Sequence, residues 1–308
     1  MSPAIVRLGV DTLCWHMRLE AGEIRVEDVI EEARQFGCEC VQVNLHHLRN
    51  RSLSEIERLC GAGADLPLLA SGDFLGSASA GDGVETGVER VRGWLERASA
   101  LGSPILRVAS GFYRADLANR PDLIAREQAF VIEVLSRTLD EALASGVRLL
   151  LENHSDFTLG EYEAIMHAVG AERTGVFLDL TNAVAALEDP AVVVERLAPF
   201  AVAGHVKDYE LRSLQQPDSY HRRGFEVLYR YPGEGVAPLG ELLRVLMHGV
   251  PSREFRLTIE GLDSRVGVDD QRLRVGAGLT HLRRLISDVS AVSQIEPDAR
   301  SGSRCDRR

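Results

Sequence analysis

The chain has 308 residues, of which 45% are hydrophobic and 26% charged, an ordinary balance for one large globular domain or two modest ones. No apolar run reaches the ~20 residues that span a bilayer, and the N-terminus lacks the basic and apolar segments of a secretory signal, so we expect neither a membrane nor a secreted protein. The formal net charge of −11 disfavours nucleic acid as a partner, and five cysteines without paired zinc spacing indicate a reducing cytoplasm.

Apolar segments alternate with amphipathic segments along the first half of the chain. In residues 25–37 the apolar positions recur with helical spacing, and Gly37 ends the pattern. The whole first half predicts strands at 7–15, 40–48, 66–76 and 104–112, and helices at 25–37, 52–63, 88–102 and 120–146.

The second half continues the alternation. It predicts strands at 147–154, 174–183, 200–208 and 255–262, and helices at 158–170, 189–199, 237–250 and 269–290. Eight strand–helix units with continuously apolar strands predict an α/β fold, a single (β/α)₈ TIM barrel over residues 1–291. Residues 209–236 are predicted to be an inserted loop after strand seven, and residues 292–308 a flexible C-terminal tail.

Four consecutive strands end in a carboxylate or an imidazole: Glu152, Asp179, His205 and Glu260. The C-terminal strand ends of such a barrel meet at one mouth, where three carboxylates close together are unfavourable unless a cation joins them. Any one of the four could instead be a capping or ion-pair residue. Three oxygens and one nitrogen suit one divalent metal ion, with Mn²⁺ our first expectation and Mg²⁺, Co²⁺ or Zn²⁺ as alternatives.

Five segments resemble, in this order, the xylose-isomerase-like TIM-barrel superfamily, the sugar phosphate isomerase/epimerase family: LLLENH, GVFLDLTNA, GHVKD, PGEG and LTIEG. The resemblance covers about residues 5–290. The group includes ketose 3-epimerases, hydroxypyruvate isomerase, inosose dehydratase and the endonuclease IV type of repair enzyme. These motifs are specific for the superfamily, but they do not indicate which of its reactions the protein catalyses.

The resemblance implies roles for individual residues. Glu152 and Glu260 match glutamates that bind the metal and also act as acid and base, while the other two strand-end residues match metal ligands. His154 matches a polar position that often contacts substrate, and we include it among the catalytic residues. Asn182 stands where many relatives carry histidine or asparagine, and we predict that it binds substrate. With asparagine there, a three-metal endonuclease site is incomplete.

Lys207 is the only lysine among 35 basic residues. It follows His205 by two positions, so the two side chains share one face of the strand. Because an ammonium is a compact donor that a guanidinium does not replace, we interpret Lys207 as a catalytic group that binds a substrate oxygen or lowers the pKa of a glutamate. The alternative is a salt bridge with Asp208 or Glu234.

Other substrate-binding predictions depend on position alone. His46, Asp73 and Arg107 lie near the ends of strands two, three and four, and each could instead have a structural role. Arg222 lies among arginines and aromatic residues of the insert, and we predict that it binds an acidic group of the substrate. The insert itself is interpreted as a lid or as a subunit contact.

These groups suit the movement of a proton beside a carbonyl group. We therefore expect a metal-dependent isomerase or epimerase that acts on a sugar or sugar acid through an enediolate. The alternative is a metal-dependent lyase on the same scaffold: a dehydratase, a 3-oxo sugar acid decarboxylase or a 3-oxo-glycoside-cleaving enzyme. A non-catalytic sugar-binding or interaction protein is the third candidate. The expected partner is a small sugar or sugar acid, and a homo-oligomer is left open.

Overall fold

Eight parallel strands close into a barrel in the computed structural model of the chain, which describes residues 3–62, 65–214, 224–261 and 268–299. The strands are β1 (Ile5–Asp11), β2 (Cys40–Asn44), β3 (Leu68–Phe74), β4 (Ile105–Ala109), β5 (Arg148–Glu152), β6 (Val176–Asp179), β7 (Ala201–Val206), β8 (Asp208–Ser213), β9 (Phe225–Arg230) and β10 (Glu254–Ile259). The order around the barrel is β1-β10-β7-β6-β5-β4-β3-β2. The predicted (β/α)₈ barrel is confirmed.

Helices follow the barrel strands along the chain. They are α1 (His16–Glu20), α2 (Val26–Gln35), α3 (Leu53–Ala62), α4 (Val84–Ala100), α5 (Arg114–Leu117), α6 (Pro121–Ala144), α7 (Leu159–Val169), α8 (Pro190–Leu197), α9 (Leu239–Gly249) and α10 (Val268–Ala299). None of the helices in the described ranges is long and apolar enough to cross a bilayer. Helix α10 runs past its predicted end at residue 290, since residues 291–296 contain neither glycine nor proline. The remainder of the predicted tail, residues 300–308, lies outside the described residues.

Side chains just before two helices explain where these helices begin. Thr158 and Glu161 form a reciprocal capping box at the start of α7. Asp189 caps α8 by accepting a hydrogen bond from the backbone N–H of Ala191 at 2.9 Å, and Pro190 occupies the first helical position. Both helices therefore begin where the local sequence predicts.

Two layers of side chains fill the inside of the barrel. The lower layer is apolar and consists of Cys40, Leu69, Ile105, Leu150, Phe177 and Ala203. Two residues further along the same strands lie buried polar residues: Gln42, Ser71, Arg107, Glu152, Asp179 and His205. Because residues two apart on a strand share one face, the apolar layer supports the polar layer at the mouth.

The insert after β7, predicted as an inserted loop, contains an antiparallel hairpin. Strands β8 and β9 pair from Asp208 opposite Arg230 to Ser213 opposite Phe225. Apolar and charged residues alternate along β8, a period of two that favours a strand exposed on one side. The turn of the hairpin, 215–223, and with it the predicted Arg222, lies outside the described residues.

Candidate metal centre

The four predicted strand-end residues meet at the mouth of the barrel. One ligand atom from each of Glu152, Asp179, His205 and Glu260 lies within 4.8 Å of the others. The register places His205 of β7 opposite Asp179 on one side and opposite Thr258, two residues before Glu260, on the other. The first three side chains are fully buried, while the Glu260 side chain is 15% exposed. Closure of the barrel thus produces the predicted cluster.

His205 presents one ring nitrogen to the cluster. Its Nε2 lies 3.3 Å from Asp11 Oδ2, whereas its buried Nδ1 has no hydrogen-bond partner among the described residues. Nδ1 lies 3.5 Å from a carboxylate oxygen of Glu152 and 3.5 Å from one of Glu260. A carboxylate on the other ring nitrogen is the usual arrangement for a metal-binding histidine. Asp11 was not among the predicted metal ligands, although it ends β1 as Glu152 and Asp179 end their strands.

Both oxygens of Glu152 have partners inside the barrel. The Arg107 guanidinium of β4 pairs with Oε2, and Asn182 Nδ2 donates to Oε1 at 3.2 Å. Arg107 also donates to the carbonyl of Gly72 at 3.2 Å, so this residue, predicted to bind substrate, fixes the orientation of Glu152. Burial raises the pKa of Glu152, but the charge of Arg107, together with the contacts of His205, holds that pKa well below its usual range.

Lys207 lies between two of the acids. Its Nζ pairs with Glu260 Oε2 and is 2.9 Å from Asp179 Oδ2, without hydrogen-bond geometry to the latter. The ammonium also lies 4.8 Å from the centre of the Tyr229 ring on the hairpin. Burial raises the pKa of Glu260, but the charges of Lys207 and then His205 lower it to about 2.

The two acids expected as alternative partners of Lys207 bind other groups. Asp208 Oδ2 accepts hydrogen bonds from the backbone N–H groups of Gly233 and Gly235, at 3.0 and 2.9 Å. Glu234 pairs with Arg274 at 2.9 Å. The ion pairs of Lys207 therefore lie within the cluster at the barrel mouth.

The cluster has the donor set and the charge that a divalent cation requires. Among the described residues, its three carboxylates and the nearby Asp11 face two permanent cations, Arg107 and Lys207. Burial by itself lowers the pKa of His205, but the surrounding carboxylates, Glu260 first, raise it to about 10. Neither His205 Nδ1 nor Asp179 Oδ2 has a hydrogen bond within the described residues, although Asp179 Oδ2 contacts Lys207 Nζ, and both residues belong to the same cluster of ligand atoms. These residues fit a metal ion bound by oxygen and nitrogen.

A cavity of about 440 Å³ opens beside the cluster. Its walls include five predicted site residues besides Lys207 and Glu260: His46, Asp73, Arg107, His154 and Asn182. The volume is typical of a site for a small molecule.

Two predicted substrate-binding residues lie at the exposed rim of this cavity. His46 has a side chain that is 42% exposed and lies 3.4 Å from Glu20. Asp73 is exposed at the end of β3, and its carboxylate accepts a hydrogen bond from the N–H of Phe74 at 2.9 Å. Both side chains are therefore accessible to solvent and also border the cavity.

Aromatic rings form one wall of the cavity. His154 packs edge-on against Phe74, with ring centres 5.4 Å apart, and lies 5.6 Å from Tyr113. Its buried Nδ1 has no hydrogen-bond partner within the described ranges. The hairpin adds Tyr229, whose hydroxyl lies 3.2 Å from Ser155 Oγ. Tyr229 was not among the predicted site residues, because it reaches the cavity through the pairing of β8 with β9.

Comparisons with known proteins agree with this architecture. A family described as xylose isomerase-like TIM barrel matches residues 30–285. A D-psicose 3-epimerase structure solved in the presence of D-fructose is 16% identical, with a TM-score of 0.68 over 91% of this chain and 99% of that one. No curated protein matches the chain significantly.

Two further solved structures share the fold. The probable 3-DHS dehydratase AsbF of Bacillus anthracis, involved in petrobactin synthesis, is 17% identical, with a TM-score of 0.65 over 91% of this chain and 98% of that one. An IolI protein with a bound zinc atom is 15% identical, with a TM-score of 0.65 over 93% of this chain and 99% of that one. At such identities the likeness shows the fold alone.

Proposed function

The chain belongs to the xylose isomerase-like TIM barrel family, and on this basis we propose that it is a divalent-metal-dependent isomerase or epimerase of a sugar or sugar acid. The observation that carries the proposal is the meeting of Glu152, Asp179, His205 and Glu260 beside a cavity of small-molecule size. The reaction passes through an enediolate of the substrate, because paired carboxylates beside a cation suit the removal and return of a proton next to a carbonyl.

The four clustered residues would hold the ion, and Mn²⁺ is the ion that we propose. When bound, it supplies a Lewis acid to neighbouring oxygen atoms of the substrate. Mg²⁺, Co²⁺ and Zn²⁺ suit the same donors and are the alternatives. Asp11 holds the imidazole of His205 and Arg107 holds the carboxylate of Glu152, so the donors are oriented before any ligand enters.

Two glutamates move the proton. Glu260 lies on the cavity wall, and its contact with Lys207 keeps it in the ionised form that accepts a proton from the substrate carbon. Glu152 lies deeper, beside Arg107, and is proposed as the second acid and base. Return of the proton to the same carbon from the other side gives epimerisation, and return to the adjacent carbon gives isomerisation.

The remaining cavity residues bind the substrate in this proposal. His46, Asp73 and Asn182 offer polar groups to hydroxyls, while His154 and the aromatic wall cover carbon atoms of the sugar. Lys207 donates to a substrate oxygen near Glu260, which is the role that its position and its single occurrence favour. A small sugar or sugar acid is therefore the proposed substrate.

Solvent-deuterium incorporation tests the proposed reaction. Metal-loaded protein is incubated in D₂O with a panel of ketoses, aldoses and sugar acids, and products are read by mass spectrometry and NMR. The expected product has an unchanged formula and carries deuterium next to the carbonyl. Loss of water, carbon dioxide or an aglycone would instead identify the lyase.

Two variants test the assignment of the glutamates in the same assay. Glu152→Gln and Glu260→Gln should abolish deuterium incorporation while circular dichroism stays unchanged. Glu195→Gln, at an exposed position of α8, is the matched control and should retain full activity. Near-normal incorporation by either active-site variant contradicts its role as acid or base.

A further inference from the structure

Three histidines and a glutamate form a second polar cluster at the barrel mouth, on the side of β1 and β2. His16 and Glu20 begin and end α1, and at four residues apart they share one face of the helix. His46 and His47 lie in the short helix Leu45–Leu48 that follows β2. None of these residues belongs to the candidate metal centre.

The ligand atoms of this cluster are close enough to share one ion. His16 Nδ1 lies 3.0 Å from His47 Nε2, and one ligand atom from each of His16, Glu20 and His47 lies within 4.8 Å of the other two. Metal ions bind imidazole nitrogen and carboxylate oxygen at about 2.0–2.2 Å, so ligand atoms at such separations can surround a single cation. His46 Nε2, 3.4 Å from Glu20 Oε1, borders the same space.

Contacts with neighbouring groups hold two of the side chains in place, at the rear nitrogen of His47 and at the carboxylate oxygens of Glu20. His47 Nδ1 lies 2.9 Å from Thr12 Oγ1, which also accepts a hydrogen bond from the N–H of Asn44 at 2.9 Å. Bonding of the rear nitrogen is what orients a metal-binding histidine. Arg49 pairs with both oxygens of Glu20, at 2.8 and 2.9 Å, and fixes the direction of that carboxylate.

We propose that His16, His47 and Glu20 form a second divalent-metal site, which takes Zn²⁺. Two imidazoles and one carboxylate are a donor set that suits Zn²⁺ and leaves a coordination position open. The three-carboxylate centre suits a harder ion, so the two sites differ in metal preference. The reaction proposed above does not need this second ion.

The proposed second site borders the substrate cavity. His16 and His46 line that cavity together with Asn44. A chain of contacts also joins the two sites, since Thr12 is hydrogen-bonded to Asp11 at 3.5 Å and Asp11 contacts His205. A zinc ion here would therefore lie beside the cavity wall that His16 forms.

Zinc stoichiometry tests the proposal directly. Metal-free protein is dialysed to equilibrium against buffered Zn²⁺. The amount of zinc bound per chain is then measured by elemental mass spectrometry. The wild type should bind two ions. His16→Gln and His47→Gln should each bind one ion fewer, with unchanged circular dichroism, while His167→Gln, at an exposed position of α7, should bind as the wild type does.

Asp179→Asn separates this site from the candidate metal centre. This variant should lose the ion of the centre and keep the ion that depends on His16 and His47. The proposal is overturned if both histidine variants bind as much zinc as the wild type, or if Asp179→Asn leaves no bound zinc. Neither result depends on turnover, so absence of isomerase activity would not be mistaken for absence of the second site.

Discussion

Two buried cations at the barrel mouth each hold one glutamate. Arg107 binds Glu152 and Lys207 binds Glu260, and all four side chains are at least largely buried. Removal of one partner from a buried ion pair leaves an unpaired charge and costs about 3–5 kcal/mol. Substitutions here therefore change stability as well as chemistry, and conservative variants are the informative ones.

Replacement of Lys207 by arginine tests whether a compact ammonium is required. The guanidinium keeps the charge but is larger and planar, so it cannot repeat the contacts of the ammonium with Asp179, Glu260 and the Tyr229 ring. We expect Lys207→Arg to lower kcat by about tenfold or more, equivalent to ~1.4 kcal/mol, with a smaller loss of thermal stability than Lys207→Met. Steady-state kinetics and thermal unfolding measure both effects. Unchanged kinetics would mean that any cation suffices.

The β8–β9 hairpin adds Tyr229 and Arg230 to the wall of the cavity. Its base is tied by Asp208, which accepts hydrogen bonds from the N–H groups of Gly233, Gly235 and Ala237. Gly235 admits no side chain, since a Cβ there would lie 2.3 Å from Asp208 Oδ1. The hairpin is thereby held where Tyr229 covers Lys207.

Loss of the Asp208 carboxylate should loosen the hairpin. Hydrogen bonds to charged groups contribute about 1.5–3 kcal/mol each, and they act together, so we expect Asp208→Ala to lower the free energy of unfolding by about 2–5 kcal/mol. KM should rise, and hydrogen exchange of the β8 and β9 amides should accelerate. Asp140→Ala, whose side chain is 91% exposed, is the control. The anchoring role of Asp208 would be contradicted if amide hydrogen exchange in β8 and β9 were unchanged in both Asp208→Ala and Gly235→Ala.

For the molecule as a whole, the excess of negative charge at the mouth links metal binding to stability. An ion that binds only the folded state adds about 2.7 kcal/mol at a hundredfold excess over Kd. We expect chelation to lower Tm by several degrees and Mn²⁺ to restore it. Scanning fluorimetry measures the shift, and Asp179→Asn should respond much less. If neither the chelator nor Mn²⁺ changes the Tm of the wild type, the proposed metal centre is contradicted.

The alternation of the sequence was enough to predict all eight barrel strands, but not where they end. The first strand was predicted to run to residue 15, yet β1 ends at Asp11. Asp11 accepts a hydrogen bond from the N–H of Leu13 at 2.7 Å, and Asn44 at the end of β2 does the same for His46 at 3.0 Å. These local bonds turn the chain into short helices whose apolar residues resemble strand continuation.

The sequence by itself determined the barrel and the meeting of its strand-end acids, because strand periodicity is local and all parallel strands of a barrel end at one mouth. Only the tertiary structure decided which charges pair. Arg107 with Glu152, Asp11 with His205 and the contact between the imidazoles of His16 and His47 join residues far apart in the chain. Such pairs depend on strand register and side-chain direction after closure, which no local pattern of residues encodes.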